Sequence, residues 1–203
     1  DISLHYYLLA SKDGITIGKR YFKHENNKED YPFSPSGHNL YDNNSKLYYC
    51  RDFDNIVYQI HEDSVVPRFR INLPNPLPAS MIEERPNEMS LLRSGYSLGI
   101  TDIYEYGGLL FFRFVKDGYI WSCLYNVEES KQVYCAKRIK FLDSSLIDTI
   151  DGIYKDCFYS ILTPEYLDYA FSENPLEDYP DLFKTYDVEG DNPVIAFYRA
   201  VVR

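Results

Sequence analysis

The 203-residue sequence has no apolar run near the roughly 20 residues a helix needs to cross a bilayer. It has no C-x-x-C pair and no cluster of histidines, so a structural zinc site is not expected. G-x-S-x-G is missing, which removes the nucleophile elbow that Ser36-Gly37 would otherwise suggest. The phosphate-cradling G-x-x-x-x-G-K is missing too. "KDG" at 12–14 and 116–118 lacks the further oxygen ligands of a calcium loop and reads as a hairpin turn. Positive charge is scarce: 21 Lys and Arg stand against 31 Asp and Glu, a net charge of −10. Phosphate backbones need clustered cations, so the balance argues against a nucleic-acid partner and reads as solubility. No signal-peptide pattern is seen. The sequence starts at Asp1 without Met and runs at once into "ISLHYYLLA". Either a leader has been removed or the chain is a piece of something longer.

Aromatic residues are abundant, at 17%, with 21 Tyr and 12 Phe. Such side chains suit half-buried pleated surfaces and point to β structure. A hydrophobic share of 45% is a globular composition, and the length allows one domain with a substantial core. The four cysteines are Cys50, Cys123, Cys135 and Cys157. Cys123 and Cys135 are symmetric about Glu129 in an expected hairpin, which leaves a disulfide open. The favoured expectation is two buried free thiols.

"LHYYLLA" and "ITIGKRYF" read as two strands around the Asp13-Gly14 turn. Residues 23–36 are polar and proline-containing, hence loop. "GHNLYD", "KLYYCRD", "NIVYQIH" and "VPRFRINL" then form a four-strand meander, each piece bounded by Asn, Asp or Ser. Residues 74–97 hold four prolines and one expected short helix near Ser80–Glu84. The meander repeats as "SLGITDIYEY", "LLFFRFVKD", "YIWSCLYN" and "QVYCAKRIKF", jointed at Gly107-Gly108, Asp117-Gly118 and "VEESK". A third run holds "LIDTIDGIY", "CFYSILT" and "NPVIAFYRAVV". Within it an acidic insertion carries two expected helices, "TPEYLDYAF" and "YPDLFKTY". Nothing alternates helix with strand, which argues against a parallel α/β sheet. Four-stranded meanders at roughly 45-residue spacing fit the radially repeated sheets of a β-propeller better than a sandwich.

The stretch from 32 to 73 resembles a six-bladed β-propeller family of Bacteroides-type bacteria. That family closes a blade with "fNDtIYxI…xxPrYxIdfG". The matching residues here are Phe53, Asp54, Asn55, Ile56, Tyr58, Ile60, Pro67, Arg68, Phe69 and Ile71. "GDNPVIAFYR" is similar to the family's C-terminal strand. Asp54-Asn55 stands where the family commonly has Asn-Asp, and Leu73-Pro74 replaces Phe-Gly, so motif residues are not invariant. The fold class expected is all-β, of propeller type. The strand tally of two, four, four and three is about half of the roughly 24 that six four-stranded blades require. The resemblance therefore implies the C-terminal half of a longer propeller. Residues 1–203 form one partial domain with blades near 4–22, 37–73, 97–141 and 147–203, the last one incomplete. A self-contained propeller of four irregular blades is the alternative.

Carboxylates at expected strand ends include Asp52, Asp54, Glu62, Asp63, Asp102, Glu105, Asp148, Asp151 and Asp156. A glycosidase would need two at a defined separation, and turn closure is the plainer use of Asp. The four histidines, His5, His24, His38 and His61, show no metal spacing, and His38 reads as a turn or channel-facing hydrogen bonder. Arg51, Arg68, Arg70, Arg113 and Arg138 stand in or beside Tyr-rich strands. Arginine with aromatics can stack and fork onto a sugar or a peptide, or pair with carboxylates of a neighbouring blade. The ligand-binding candidates are Arg68, Arg51, His38, Tyr58 and Arg113. No residue is assigned a catalytic or metal role, and no cofactor is expected. The leading expectation is a binding or scaffold module without enzymatic activity, its ligand a glycan or a peptide. The resemblance implies a periplasmic or cell-surface place, as an outer-membrane lipoprotein or a secreted protein. The alternative is a propeller hydrolase or lyase using channel carboxylates and a divalent metal such as Ca²⁺. Fold alone does not decide between them.

Overall fold

Strands form where the sequence alternates, and turns form where Asn, Asp and Gly interrupt it. The computed structural model describes residues 6–23, 35, 38–84, 86–137, 150–173, 186–187, 189–190 and 192–199. Four separate antiparallel sheets follow one another along the chain. Sheet one pairs β1 (Tyr6–Ala10) with β2 (Lys19–Lys23). Sheet two runs β3 (Leu40–Asn43), β4 (Lys46–Cys50), β5 (Ile56–Ile60) and β6 (Val65–Arg70), each strand beside the next. Sheet three does the same with β7 (Ser97–Tyr106), β8 (Leu109–Lys116), β9 (Tyr119–Asn126) and β10 (Lys131–Ala136). Sheet four joins β11 (Gly152–Tyr154), β12 (Cys157–Leu162) and β13 (Val194–Tyr198). The expected tally of two, four, four and three strands is the tally among the described residues, and no sheet closes into a barrel.

The tight turns use the backbone conformation that matches strand twist, with positive φ at both central residues. Asn44 and Ser45 have φ of 51° and 72°, and Asp117 and Gly118 have 53° and 71°. The turn at 11–18 departs from the expected two-residue hairpin, because Asp13 organises a longer loop. Its carboxylate accepts from the Ile15 and Thr16 amides at 2.9 and 2.7 Å and from the Ser11 hydroxyl, so residues 15–17 stay out of the pairing, which resumes where the Gly18 amide donates to Ala10 O at 2.9 Å. Those donors hold the Asp13 carboxyl far below the usual range.

Helix α1 (Ala79–Glu83) stands where the proline-rich segment predicts it, and α3 (Pro164–Glu173) matches "TPEYLDYAF". Helix α2 (Glu88–Leu92) was not expected; Asn87 caps it by accepting from the Ser90 amide at 2.9 Å. The helix expected from "YPDLFKTY", the start of "LIDTIDGIY" and the end of the last strand lie outside the described residues.

The expectation of free thiols at Cys123 and Cys135 is overturned. The β9–β10 register places these two residues directly opposite each other, with Cα atoms 4.0 Å apart, and they form a disulfide. Cys50 and Cys157 are outside any disulfide, and Cys50 is fully buried.

Sheets two, three and four share one core. Tyr48 and Val57 reach it from sheet two, Ile103 and Phe111 from sheet three, and Phe158 and Leu162 from sheet four. Full burial of each such side chain stabilises by about 1.5–3 kcal/mol, as an upper bound. Sheet three is the centre: β7 and β8 are buried on both faces for most of their length. Sheet two docks on it through a backbone seam. At Gly99 (φ +93°) a Cβ would stand 2.8 Å from Phe53 Cα, and the next amide, of Ile100, donates to Asp54 O at 3.2 Å. Only glycine permits both that φ and that approach. Sheet one attaches to sheet two through Phe22, whose ring centre lies 5.4 Å from that of Tyr49 and 4.6 Å from that of Tyr58. Sheet four buries one face, with Phe158, Ser160 and Leu162, and leaves Tyr154, Ile161, Ile195 and Phe197 about half exposed on the other.

The first strands of sheets two, three and four converge: β3 contacts β7 and β11, and β11 contacts β7. This convergence positions the site described next.

Candidate functional site

A half-open cavity of about 290 Å³ lies where β3, β7 and β11 meet. The alternation of β3 supplies one wall. Tyr41 and Asn43 turn into the core, while Leu40 and Asp42 face outward and line the cavity with Asn44 of the following turn. Asn43 is a clasp between sheets, its amide donating to Ile103 O at 3.2 Å and its carbonyl accepting from the Glu105 amide at 2.6 Å. Tyr41 is fixed as well, with its hydroxyl at hydrogen-bond distance from the carbonyls of both His38 and Thr101.

Tyr104 of β7 also lines the cavity and donates to Asp151 O at 3.0 Å. Burial holds its phenol protonated, well above the ordinary range. The segment around β11 contributes Asp151, Gly152 and Ile153 to the lining, and β12 contributes Tyr159. Asp151 is anchored twice: its amide donates to Tyr159 O at 2.9 Å, and its carboxylate accepts from the Ile161 amide at 2.7 Å. Gly152 makes room for Tyr159, since a Cβ there would stand 2.6 Å from the phenol oxygen. Asn44 closes the rim by donating to Lys155 O at 3.0 Å.

Of the five candidates named from sequence, His38 lines this cavity, exposed, its ring centre 4.8 Å from that of Tyr41. The other four lie elsewhere. Arg68 of β6 donates to Glu105 at 2.9 Å and stacks on Phe69 with 4.8 Å to the ring centre. Arg51 pairs with Asp54 at 2.5 Å and sits over the Phe22 ring. Tyr58 packs against Phe22. Arg113 pairs with Asp102 at 2.7 Å, with side chains only 14% and 7% exposed. Burial pushes the Asp102 carboxyl up against the lowering pull of Arg113.

Outside the cavity, Glu105 gathers three polar side chains. Its carboxylate accepts from Tyr48 and Lys46 on β4 and from Arg68 on β6. Burial raises this carboxyl, but the three donors outweigh it and hold it below the ordinary value. The remaining carboxylates have local duties. Asp54 closes its turn by accepting from the Asn55 and Ile56 amides, at 2.7 and 3.1 Å. Asp63 and Asp156 form exposed pairs with Lys19 and Arg199. Asp148 and Arg138 lie outside the described residues. Among the described residues, no group of three or more His, Cys, Asp and Glu side chains is arranged to hold a metal.

Sequence reasoning missed Asp42, Tyr104, Gly152 and Tyr159 as a group. The exposed face of β3 was legible as alternation, but its meeting with β11 is a tertiary fact. No helix among the described residues is long and apolar enough to cross a membrane.

No protein-family model matches the chain, and no curated protein matches it. A solved structure does. It is the crystal structure of a "Putative exported protein" from Bacteroides fragilis, similar over 96% of this chain with a TM-score of 0.71 at 16% identity. At that identity the likeness is one of fold. The chain spans 57% of the length of that neighbour.

Proposed function

We propose that the chain is part of an exported β-propeller protein of the bacterial cell envelope, and that it binds a glycan or a peptide without transforming it. The observation that carries the reading is the cavity at the convergence of β3, β7 and β11. Concave sites between repeated sheets are where such architectures hold ligands, and this one combines apolar rings with a few anchored polar groups. The propeller arrangement is supported by consecutive four-stranded meanders whose first strands converge. That this is a partial ring is supported by the apolar open face of sheet four and by the 57% coverage of the structural neighbour. In this reading, polypeptide beyond residues 1–203 supplies the remaining sheets, and one of them covers Tyr154, Ile161, Ile195 and Phe197. A periplasmic or cell-surface place is supported by the neighbour's description as exported and by the Cys123–Cys135 disulfide, since disulfides persist in oxidising compartments.

The test is a thermal-shift and calorimetric screen of the protein against neutral, amino and acidic oligosaccharides and short peptides. A ligand at 100 times its Kd stabilises by about 2.7 kcal/mol, which is readily seen as a rise in Tm. The expected result is a rise with one ligand class that is abolished by Gly152→Val, a substitution that would collide with the Tyr159 ring lining the cavity and displace it. Turnover of a bound ligand would move the protein to the hydrolase or lyase alternative. No shift with any member would overturn the binding reading.

A further inference from the structure

The described strands form two four-stranded sheets and two shorter ones, of two and three strands. The edges of these sheets differ in chemistry. A strand edge presents a row of N–H and C=O groups, and proteins guard open edges with Pro, charged side chains or bulges. The outer edge of sheet two is β6, which carries Pro67, Arg68 and Arg70 and pairs with β5 through a register shift. The outer edge of sheet three is β10, which carries Lys131 and a register shift between Gln132 and Tyr134. In sheet one, β2 carries Lys19, Arg20 and Lys23. β13 has none of these devices. Its five residues, "VIAFY", hold no Pro and no charge, and all five pair with β12 without a shift. Pro193 and Arg199 stand outside it. No described strand pairs with its other side. β1, "YYLLA", is the second bare edge. The two bare edges fall on the two short sheets, while both four-stranded sheets end on guarded strands. The opposite ends of those sheets, β3 and β7, are covered where β3, β7 and β11 converge.

We propose that β13 is a pairing seam, to which a fourth strand of sheet four adds from polypeptide of the same protein outside residues 1–203. The inference rests on the reading of the chain as part of a longer protein, and adds which edge the rest of that protein joins. A second copy of the chain on β13 would leave β1 bare, whereas further polypeptide accounts for both short sheets. The chain also spans 57% of its structural neighbour, so this fold has length beyond these residues to supply strands. The added strand runs antiparallel to β13, as the strands of all four sheets do to one another. Its side chains alternate, apolar where they continue the row of Val194, Ala196 and Tyr198 that packs on the core. Backbone hydrogen bonds hold it, and the alternate apolar side chains set its register.

The experiment is residue-resolved amide exchange by NMR on the protein made from the complete reading frame that holds these residues. In an open edge strand alternate amides point away from the sheet and exchange fast. The expected result is that β6 and β10 show this alternation and β13 does not, its outward amides exchanging about 100-fold or more slowly than those of β6. A cross-strand Hα–Hα contact from β13 to a residue outside 1–203 is expected with it. Alternation in β13 equal to that in β6 would overturn the seam and leave the partial-ring reading standing. So would protection without the cross-strand contact, which would mean that something other than a strand covers the edge. A reading frame that adds no polypeptide to residues 1–203 would overturn the seam and the partial ring together. Light scattering over a concentration series separates the sources of the strand. Protection that persists in the monomer supports the same polypeptide, and protection lost on dilution to monomer assigns the edge to a second copy and overturns the inference.

Discussion

Arg68 on β6 donates to Glu105 on β7 at 2.9 Å, from one four-stranded sheet to the next. Glu105 also accepts from Tyr48 and Lys46, so one half-buried carboxylate ties two strands of sheet two to the first strand of sheet three. The Arg68 and Lys46 side chains are 40% and 43% exposed, so solvent screens their share. Tyr48 is fully buried and has no water to turn to. Glu105→Ala therefore costs about 1–3 kcal/mol, mostly from the stranded Tyr48 hydroxyl. Arg68→Ala costs about 0–1 kcal/mol. Urea unfolding of both variants checks this, and equal losses would mean that Arg68 has a role beyond the seam. Arg68→Ala should also leave ligand binding intact, since its side chain is spent on Glu105.

The same carboxylate sets an acid limit. The folded Glu105 carboxyl lies below its ordinary value of 4.5, so the unfolded chain takes up its proton first as pH falls. The stabilisation is fully present above pH 4.5 and is lost as pH drops below that through the folded value. Asp13 is lowered too and titrates on the acid side, so the wild type alone does not isolate Glu105. The measure is the difference between wild type and Glu105→Gln in unfolding free energy from pH 7 to pH 3. That gap should be widest at neutral pH and shrink as the medium acidifies. A gap constant with pH would remove Glu105 as the group responsible.

Gly99 allows a sharp contrast within one fold. A methyl there would collide with the Phe53 backbone and occupy an unfavourable φ at the same time. Gly107 also has positive φ, at 57°, but a Cβ there meets nothing within 4 Å. Gly107→Ala should cost about 1–2 kcal/mol from backbone conformation alone. Gly99→Ala should cost clearly more, because the backbone seam between sheets two and three must open. Thermal melts of the two variants decide it, and equal Tm losses would mean that the seam yields without cost. Trp121, the chain's one tryptophan, stacks on Phe114 within sheet three and supplies the fluorescence signal.

The meanders were legible because strand and turn are local. Alternation in "LYDN" and the Asp117-Gly118 turn specify hairpins without help from distant residues. The cavity was not legible, because it joins places far apart in sequence: Asn44 and Lys155, bonded across its rim, are 111 residues apart. Arg68 looked like a ligand contact for the same reason. Its partner, Glu105, is 37 residues away, on a strand whose packing against β4 no local pattern announces. Asp13-Gly14 misled in the opposite direction. Its dipeptide favours a tight hairpin, yet the Asp13 side chain captured two amides and lengthened the loop.

The Cys123–Cys135 bond shows how register outranks residue preference. Buried cysteines commonly pack as small hydrophobes, and Cys50 does so, its thiol pushed far up by burial. Cys123 and Cys135 instead face each other across the β9–β10 hairpin. In denaturant without reductant, a thiol-specific label should enter only Cys50 and Cys157, the two cysteines outside the disulfide. After reduction all four cysteines should take the label. The closed loop is short, since the pair is 12 positions apart in sequence. Its loss through Cys123→Ala together with Cys135→Ala should therefore cost no more than about 3 kcal/mol. β10 is an edge strand that packs only partly on the core, so the damage should stay local to the β9–β10 hairpin. Amide exchange should quicken in β10 while β7 and β8 keep their protection. Four labels before reduction would return these cysteines to the free thiols that composition favours, and would remove one support for an oxidising compartment.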